Sequence, residues 1–311
     1  MEKEVMYTLK APYRDALRIH GYHFGKGEKA ACIIGALRGN EVQQLYVCSQ
    51  LIKVLTELEK HGSISFGKEI LVIPSVNHYS MNIGKRFWAV DNTDINRMFP
   101  GYDKGETTQR IAAGIFNQVS SYSFGIQFAS FYMPGDFVPH VRMMETGYQN
   151  TSLANLFGLP YVVVRKPRPI DTTTLNYNWQ LWETSAFSVY TNETDEIDEN
   201  SARMAVSAVL RFLTRMGIIK YNSHSGYIAN VIYEDELTTV HAGSAGIFRR
   251  KREPGEEVLR GDVLAEILDP YEGTLREAVT APTDGIIFFA HRKPLITEKD
   301  VVCRIIRRLH Q

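Results

Sequence analysis

Two apolar runs of strand length, "AACIIGAL" (30–37) and "EILVIPSV" (69–76), flank a long segment, "NEVQQLYVCSQLIKVLTELEKHG" (40–62). In that segment Val42, Leu45, Tyr46, Leu51, Val54 and Leu55 recur near helical spacing, and Gly62 supplies a stop. A strand–helix–strand unit of this length carries the second strand back parallel to the first, which commits the chain to a layered α/β sheet. The first run ends in "RGNE", so Arg38 and Glu41 stand at the mouth of a strand. In open α/β sheets that is where ligands bind.

The alternation continues. "TTQRIAAGIFNQVSSY" reads as a helix, "SFGIQFASFYM" and "PYVVVRK" (160–166) as strands, and "ENSARMAVSAVLRFLTRMGII" (199–219) as an amphipathic helix. After about residue 222 the texture becomes short strands between Gly, Pro and Asp turns, an all-β signature. Within it "AGSAGIFRRKREPGEEVLRGDVLAEILD" and "APTDGIIFFAHRKPLITEKDVVCRIIR" resemble each other, which predicts a duplicated β-motif in a small barrel or sandwich. Such a unit is a carrier domain, an active-site lid or a structural cap. The expectation is therefore an α/β domain over 1–222 and a small β-domain over 223–311.

With 35 basic and 35 acidic residues, the chain has no charge excess to attract nucleic acid or an anionic membrane, and neither is expected as a partner. The start, "MEKEVMYTLK", has no apolar core of a secretory signal, and no uninterrupted apolar stretch reaches the roughly 20 residues that span a bilayer. Cys32, Cys48 and Cys303 show no paired spacing, which fits a reducing cytoplasm.

The strongest local signal is "DNTDINRMFPG" (91–101), where Asn96 and Arg97 offer an amide and a guanidinium fork to a carboxylate. The same pattern also suits a polar loop braced by its own Asx and Arg hydrogen bonds. Taken in order with "GALRGNE" (35–41), "LANLFGLPYVVV" (153–164), "AGSAGIF", "GEEVLRGDVLAEILD" and "APTDGII", the motif resembles the succinylglutamate desuccinylase/aspartoacylase family. These are zinc-dependent amide hydrolases. The resemblance implies a three-layer, carboxypeptidase-like mixed sheet with helices on both faces, followed by an appended β-domain.

It also implies where a metal would sit, and there the sequence departs. A Gly-x-His-Gly-Asn/Asp-Glu turn supplies His and Glu ligands in the family; here Arg38 replaces the histidine and Glu41 is kept. The family's third ligand ends a strand as "DLH"; here Gly125 and Gln127 take the aspartate and histidine positions. The general-base glutamate aligns with Tyr190, with Glu193 three residues on. Zinc catalysis needs three ligands and an open position, and a guanidinium has no lone pair to give. Arg38 is expected instead to pair with Glu41 and replace the lost cation. The resemblance carries substrate-carboxylate contact over to Asn96 and Arg97, with Arg86 beside them.

Two functions follow. The first is a member that binds a carboxylated, acyl-amino-acid-like molecule without hydrolysing it, with no cofactor at the family site. It would be a homo-oligomer or the partner of an active paralogue. The second is an active deacylase. It would use a zinc site rebuilt by His78 or His140 with Glu41, or a metal-free mechanism with Tyr190 or Glu193 as acid/base and Arg38 as electrophile. His20 and His23 lie in what reads as a turn-rich, surface or edge segment.

Overall fold

The computed structural model describes residues 1–12, 14–131, 133–192 and 194–308. In chain order its elements are β1 Glu2–Leu9, β2 Leu17–Gly25, β3 Gly27–Ala36, α1 Val42–Lys60, β4 Gly67–Ser75, α2 His78–Met81, α3 Thr107–Val119, β5 Phe124–Ala129, β6 Gly135–Phe137, β7 His140–Met144, α4 Thr151–Asn155, β8 Tyr161–Arg165, α5 Leu175–Leu181, β9 Ser185–Tyr190, α6 Glu199–Arg215 and β10 Asn230–Tyr233. They are followed by β11 Thr238–His241, β12 Gly246–Arg250, β13 Glu257–Val258, β14 Val263–Leu268, β15 Leu275–Thr280, β16 Gly285–His291, β17 Leu295–Ile296 and β18 Val301–Arg307.

The chain forms two compact units, Met1–Ser130 with Pro139–Val231, and Phe131–Val138 with Ile232–Gln311. The division falls near residue 231 rather than 222, because the segment after α6 stays bonded to the first unit: Tyr227 N–H donates to Gly158 O and Asn230 N–H to Pro160 O. Residues 131–138, assigned from sequence to the first domain, belong to the second, because β6 pairs with β16.

The first unit is a mixed sheet in the order β1-β2-β4-β3-β5-β9-β7-β8-β10. β3 pairs parallel with β4 and β5, as the strand–helix–strand reading requires, and β5 pairs parallel with β9. Alternate residues feed opposite cores. Ala31, Ile33, Ile126, Phe187 and Val189 pack on α1 and α6, while Cys32, Ile34 and Ala186 pack on α3 and α5 with Ile111, Ile115 and Trp179. The result is the three-layer arrangement with helices on both faces. Two strands precede β3, however. The supposed turn-rich segment holding His20 and His23 is β2, a nine-residue strand. Gly21 disguised it. The glycine is there because a Cβ would fall 2.6 Å from Met6 Sδ.

The second unit bears out the duplication in detail. β12 pairs with β14, and β16 with β18, as equivalent hairpins. The short strands are exchanged: β17 completes the sheet of β12, and β13 that of β16. Backbone bonds repeat with the same symmetry, Ala242 N–H to Asp300 O matching Ala281 N–H to Asp262 O at 2.9 Å each. Among the described residues of this unit the helical structure is one 3-10 turn, Glu234–Glu236.

Candidate active site

The parallel strands β3, β5 and β9 end together, and the chain turns of 37–41 and 130 sit at that mouth. Glu41 stands at the head of α1 but does not cap it. Its side chain folds back, so that Oε2 accepts the Leu37 and Arg38 N–H groups at 2.8 and 2.9 Å. Oε1 accepts the Arg38 guanidinium at 3.0 Å and the Ser130 hydroxyl. Glu41 is wholly buried, and a carboxylate so placed needs these partners. Gly39 permits the turn: a Cβ there would fall 2.1 Å from Lys85 O.

Arg38 faces a second carboxylate. Its Nε and Nη2 lie 3.0 and 2.9 Å from Asp94 Oδ2. Although burial alone disfavours the charged guanidinium, Glu41 and Asp94 hold its proton more firmly than water does, and the net shift is upward. Asp94 also accepts Asn96 N–H at 3.0 Å and lies 4.0 Å from Arg97 Nε. Arg97 Nη1 then binds Asp171 Oδ1 at 3.0 Å and Ile170 O at 2.6 Å, and Arg165 Nη2 takes the other Asp171 oxygen at 2.8 Å. The outcome is a ladder of alternating charge: Glu41, Arg38, Asp94, Arg97, Asp171, Arg165. Asn96, also in this loop, accepts Leu175 N–H through Oδ1. The bracing foreseen for loop 91–101 is therefore present, and Arg97 turns one face into it while staying about a quarter exposed.

Below the mouth, register fixes two polar rows. Gln127 pairs with Ser188, which pairs with Arg142; Ala129 pairs with Tyr190, which pairs with His140. Tyr190 accepts a hydrogen bond from Arg142 at 3.2 Å, stacks on His140 at 4.9 Å, and carries the Arg142 guanidinium over its ring at 4.6 Å. Glu193 lies outside the described residues. Arg86, whose carbonyl accepts Gly39 N–H, has its pKa lowered by burial and by neighbouring Arg38.

The donor set does not fit zinc. Both Glu41 oxygens are occupied, Arg38 has no lone pair, and Gln127 is a weak ligand. His78 follows β4 and His140 opens β7, and β3, β5 and β9 lie between those two strands in the sheet. His78 lies instead near His20, its pKa lowered by burial and then by that neighbour. Among the described residues no three His, Cys, Asp or Glu side chains are grouped to hold an ion.

The succinylglutamate desuccinylase/aspartoacylase catalytic-domain family model matches residues 28–215. The chain belongs to that family. No curated protein sequence matches it. Solved members share the fold at low identity. A succinylglutamate desuccinylase from Silicibacter sp. superposes with a TM-score of 0.80 at 18% identity, covering 97% of this chain and 92% of that one. The product-bound ectoine utilization protein EutE (DoeB) from Ruegeria pomeroyi gives 0.77 at 20% identity, covering 93% and 89%. The family member from Rhodobacter sphaeroides gives 0.77 at 19% identity, covering 94% and 89%.

Arg38 and Glu41, expected from sequence to pair, are bonded to each other, while Ser130, Asp171, Arg165 and Arg142 join these networks with no motif to announce them. Asp94 lay inside the quoted motif, yet its role depends on Arg38. Ser130 had one signal, its place immediately after β5.

Proposed function

We propose that this family member binds a carboxylated, acyl-amino-acid-like small molecule and does not hydrolyse it through zinc. The observation that carries this is Arg38, which links Glu41 to Asp94 at the position where the family's resemblance puts a histidine. Arg38 supplies a permanent positive charge where a metal's would otherwise lie. It also consumes the carboxylate that would bind the ion. Arg86 and the exposed side of Arg97 are the groups we assign to the ligand's carboxylate. Without a metal-bound water, amide hydrolysis would lack its nucleophile at neutral pH. Tyr190, whose hydroxyl accepts from Arg142, is the residue we would assign as proton donor to a ligand carbonyl. This keeps a metal-free reaction on a labile acyl group as the second reading. Three buried free thiols fit a reducing compartment, and we place the protein in the cytoplasm. No helix among the described residues is long and apolar enough to cross a membrane.

Calorimetry with N-succinyl-L-glutamate and N-acetyl-L-aspartate, with and without chelator, tests this. Saturable, chelator-insensitive binding without product in the NMR spectrum is expected. Zinc-dependent turnover abolished by Glu41→Ala would overturn it.

A further inference from the structure

α1 and α6 run side by side on one face of the first unit's sheet. At one end Gln43 Nε2 donates to Asp198 O and Ser201 Oγ at 2.9 and 3.1 Å. Just beyond the other end Ser65 N–H donates to Ile218 O at 2.9 Å, so the two helices are parallel. Between them lies an open groove of about 650 Å3. Its floor is apolar: Ala202, Val206 and Leu210 of α6 are buried, and Tyr46, Val54 and Leu58 of α1 are half-buried beside them. The lined stretches, residues 46–58 and 199–210, are each roughly 17 Å long, about three helical turns. Tyr46 and Val54 belong to the apolar period that the sequence announces for α1. The core takes Leu51 and Leu55 completely and leaves those two at the groove, so the apolar face of α1 is wider than the core beneath it uses.

The rims carry charge on both sides, Lys53 on α1 and Arg203 on α6. Among the described residues neither is ion-paired. Arg203 bonds the neutral Asn200 amide, and Glu57, one turn beyond Lys53, is taken by Lys60 at 2.8 Å. Glu199 stands in the first turn of α6, where it offsets the positive end of that helix. What remains along the rims is cationic. Because Gln43 is level with Ser201, Arg203 stands near the level of Tyr46. Lys53 lies about two turns, or roughly 10 Å, further along. A fatty carboxylate, with one charge at one end of its chain, engages a single rim. An amphipathic helix engages both: an apolar stripe at i, i+3 or i+4 and i+7 fills the floor, and acidic residues on its two flanks meet Lys53 and Arg203.

We propose that this groove is the docking site for an acidic amphipathic helix presented by a partner protein. The proposal does not rest on the ligand assigned to the mouth. Fluorescence anisotropy on the full chain tests it with a labelled helical peptide of about 18 residues, long enough to hold its helix on the groove. The peptide carries a Leu stripe flanked on both sides by Glu. Two relatives accompany it, one with Lys in place of Glu and one with Ser in place of Leu. The Glu-flanked peptide should bind saturably, about tenfold or more tighter than either relative, and added salt should weaken it. Lys53→Glu with Arg203→Glu changes two exposed side chains. The double variant should lose about tenfold or more in affinity for the Glu-flanked peptide and gain a similar factor for the Lys-flanked one. No binding of the Glu-flanked peptide, or equal binding of the Glu- and Lys-flanked pair, overturns the proposal. Equal binding of the Ser-substituted relative would show attraction to surface charge only, and also overturns it. Saturable binding of dodecanoate in place of the peptide, weakened by Lys53→Glu, would make the groove a site for an acyl chain. Self-association of the wild-type chain, lost in the double variant, would give the groove to a second copy. Either result overturns the proposal as well.

Discussion

Arg38 bonds Asp94 through two nitrogens on a single carboxylate oxygen, joining the end of β3 to a loop 56 residues further along the chain. The same guanidinium reaches Glu41 with its third nitrogen. One residue therefore compensates two carboxylates, and its loss leaves Glu41 without a counter-charge and Asp94 with only the more distant Arg97.

The energetic consequence is non-additivity. Arg38→Met alone should cost about 3–5 kcal/mol, as expected when a buried charge loses its partner. Arg38→Met with Glu41→Gln should cost less than the sum of the single changes, by at least about 1 kcal/mol. Urea denaturation of the four proteins in the cycle measures it. Additivity would mean that the pair does not act as a unit.

Metal content follows from the same geometry. Purified protein should carry far less than one zinc per chain by elemental analysis. Replacing Arg38 and Gln127 together with histidine frees Glu41 and restores the family's donor types, so zinc affinity should appear. A double variant that gains none would show that the ends of β3 and β5 are not aligned as a ligand set.

Asp171 predicts an acid limb to stability. Burial raises its pKa, but the Arg168 N–H, Arg97 and Arg165 outweigh this and hold it below the ordinary carboxylate value. A carboxyl lower in the folded state binds protons less tightly than in the unfolded chain. Its contribution is thus complete above about pH 4–5 and lost as pH falls through the depressed folded value. Asp171→Asn should lower stability at pH 7 and flatten its dependence below about pH 4. An unchanged slope would remove Asp171 from the ladder.

No larger side chain fits at Gly125. Gly125→Asp would drive its Cβ into the Trp179 ring, an overpacking cost of about 1–3 kcal/mol or more. Stability should fall, and tryptophan fluorescence should report a displaced indole. A stable variant with unchanged emission would mean that α5 yields easily.

Lys299 has φ of +69°, at the place equivalent to Gly261, whose φ is +94°. A non-glycine residue in the left-handed region costs about 1–2 kcal/mol. Lys299→Gly should therefore stabilise the protein by up to about 1 kcal/mol, read as a higher denaturation midpoint.

Much of the frame was legible because it is local. β3, α1, β4 and β8 announce themselves by apolar runs or period, and the duplicated motif by self-similarity. β2 was missed because Gly21 breaks its apolar alternation, for a reason that exists only once β1 lies across it. Arg38 with Glu41 is a three-residue spacing and could be read from the sequence. Asp171 could not, since nothing in "RPIDTTT" points to Arg97 before the loops meet. The Gln127 row is likewise a property of register: Ser188 and Arg142 become its neighbours only when β5, β9 and β7 are laid side by side.

The exchange of short strands in the second unit has a consequence for how it assembles. Each repeat lends β13 or β17 to the other's sheet and cannot close its own. A single repeat would therefore be an open half, able to mature only against a second copy. Fusing the copies in one chain turns a concentration-dependent association into an intramolecular one. It also means that a ribosome must finish β17 before the sheet of β12 can lock.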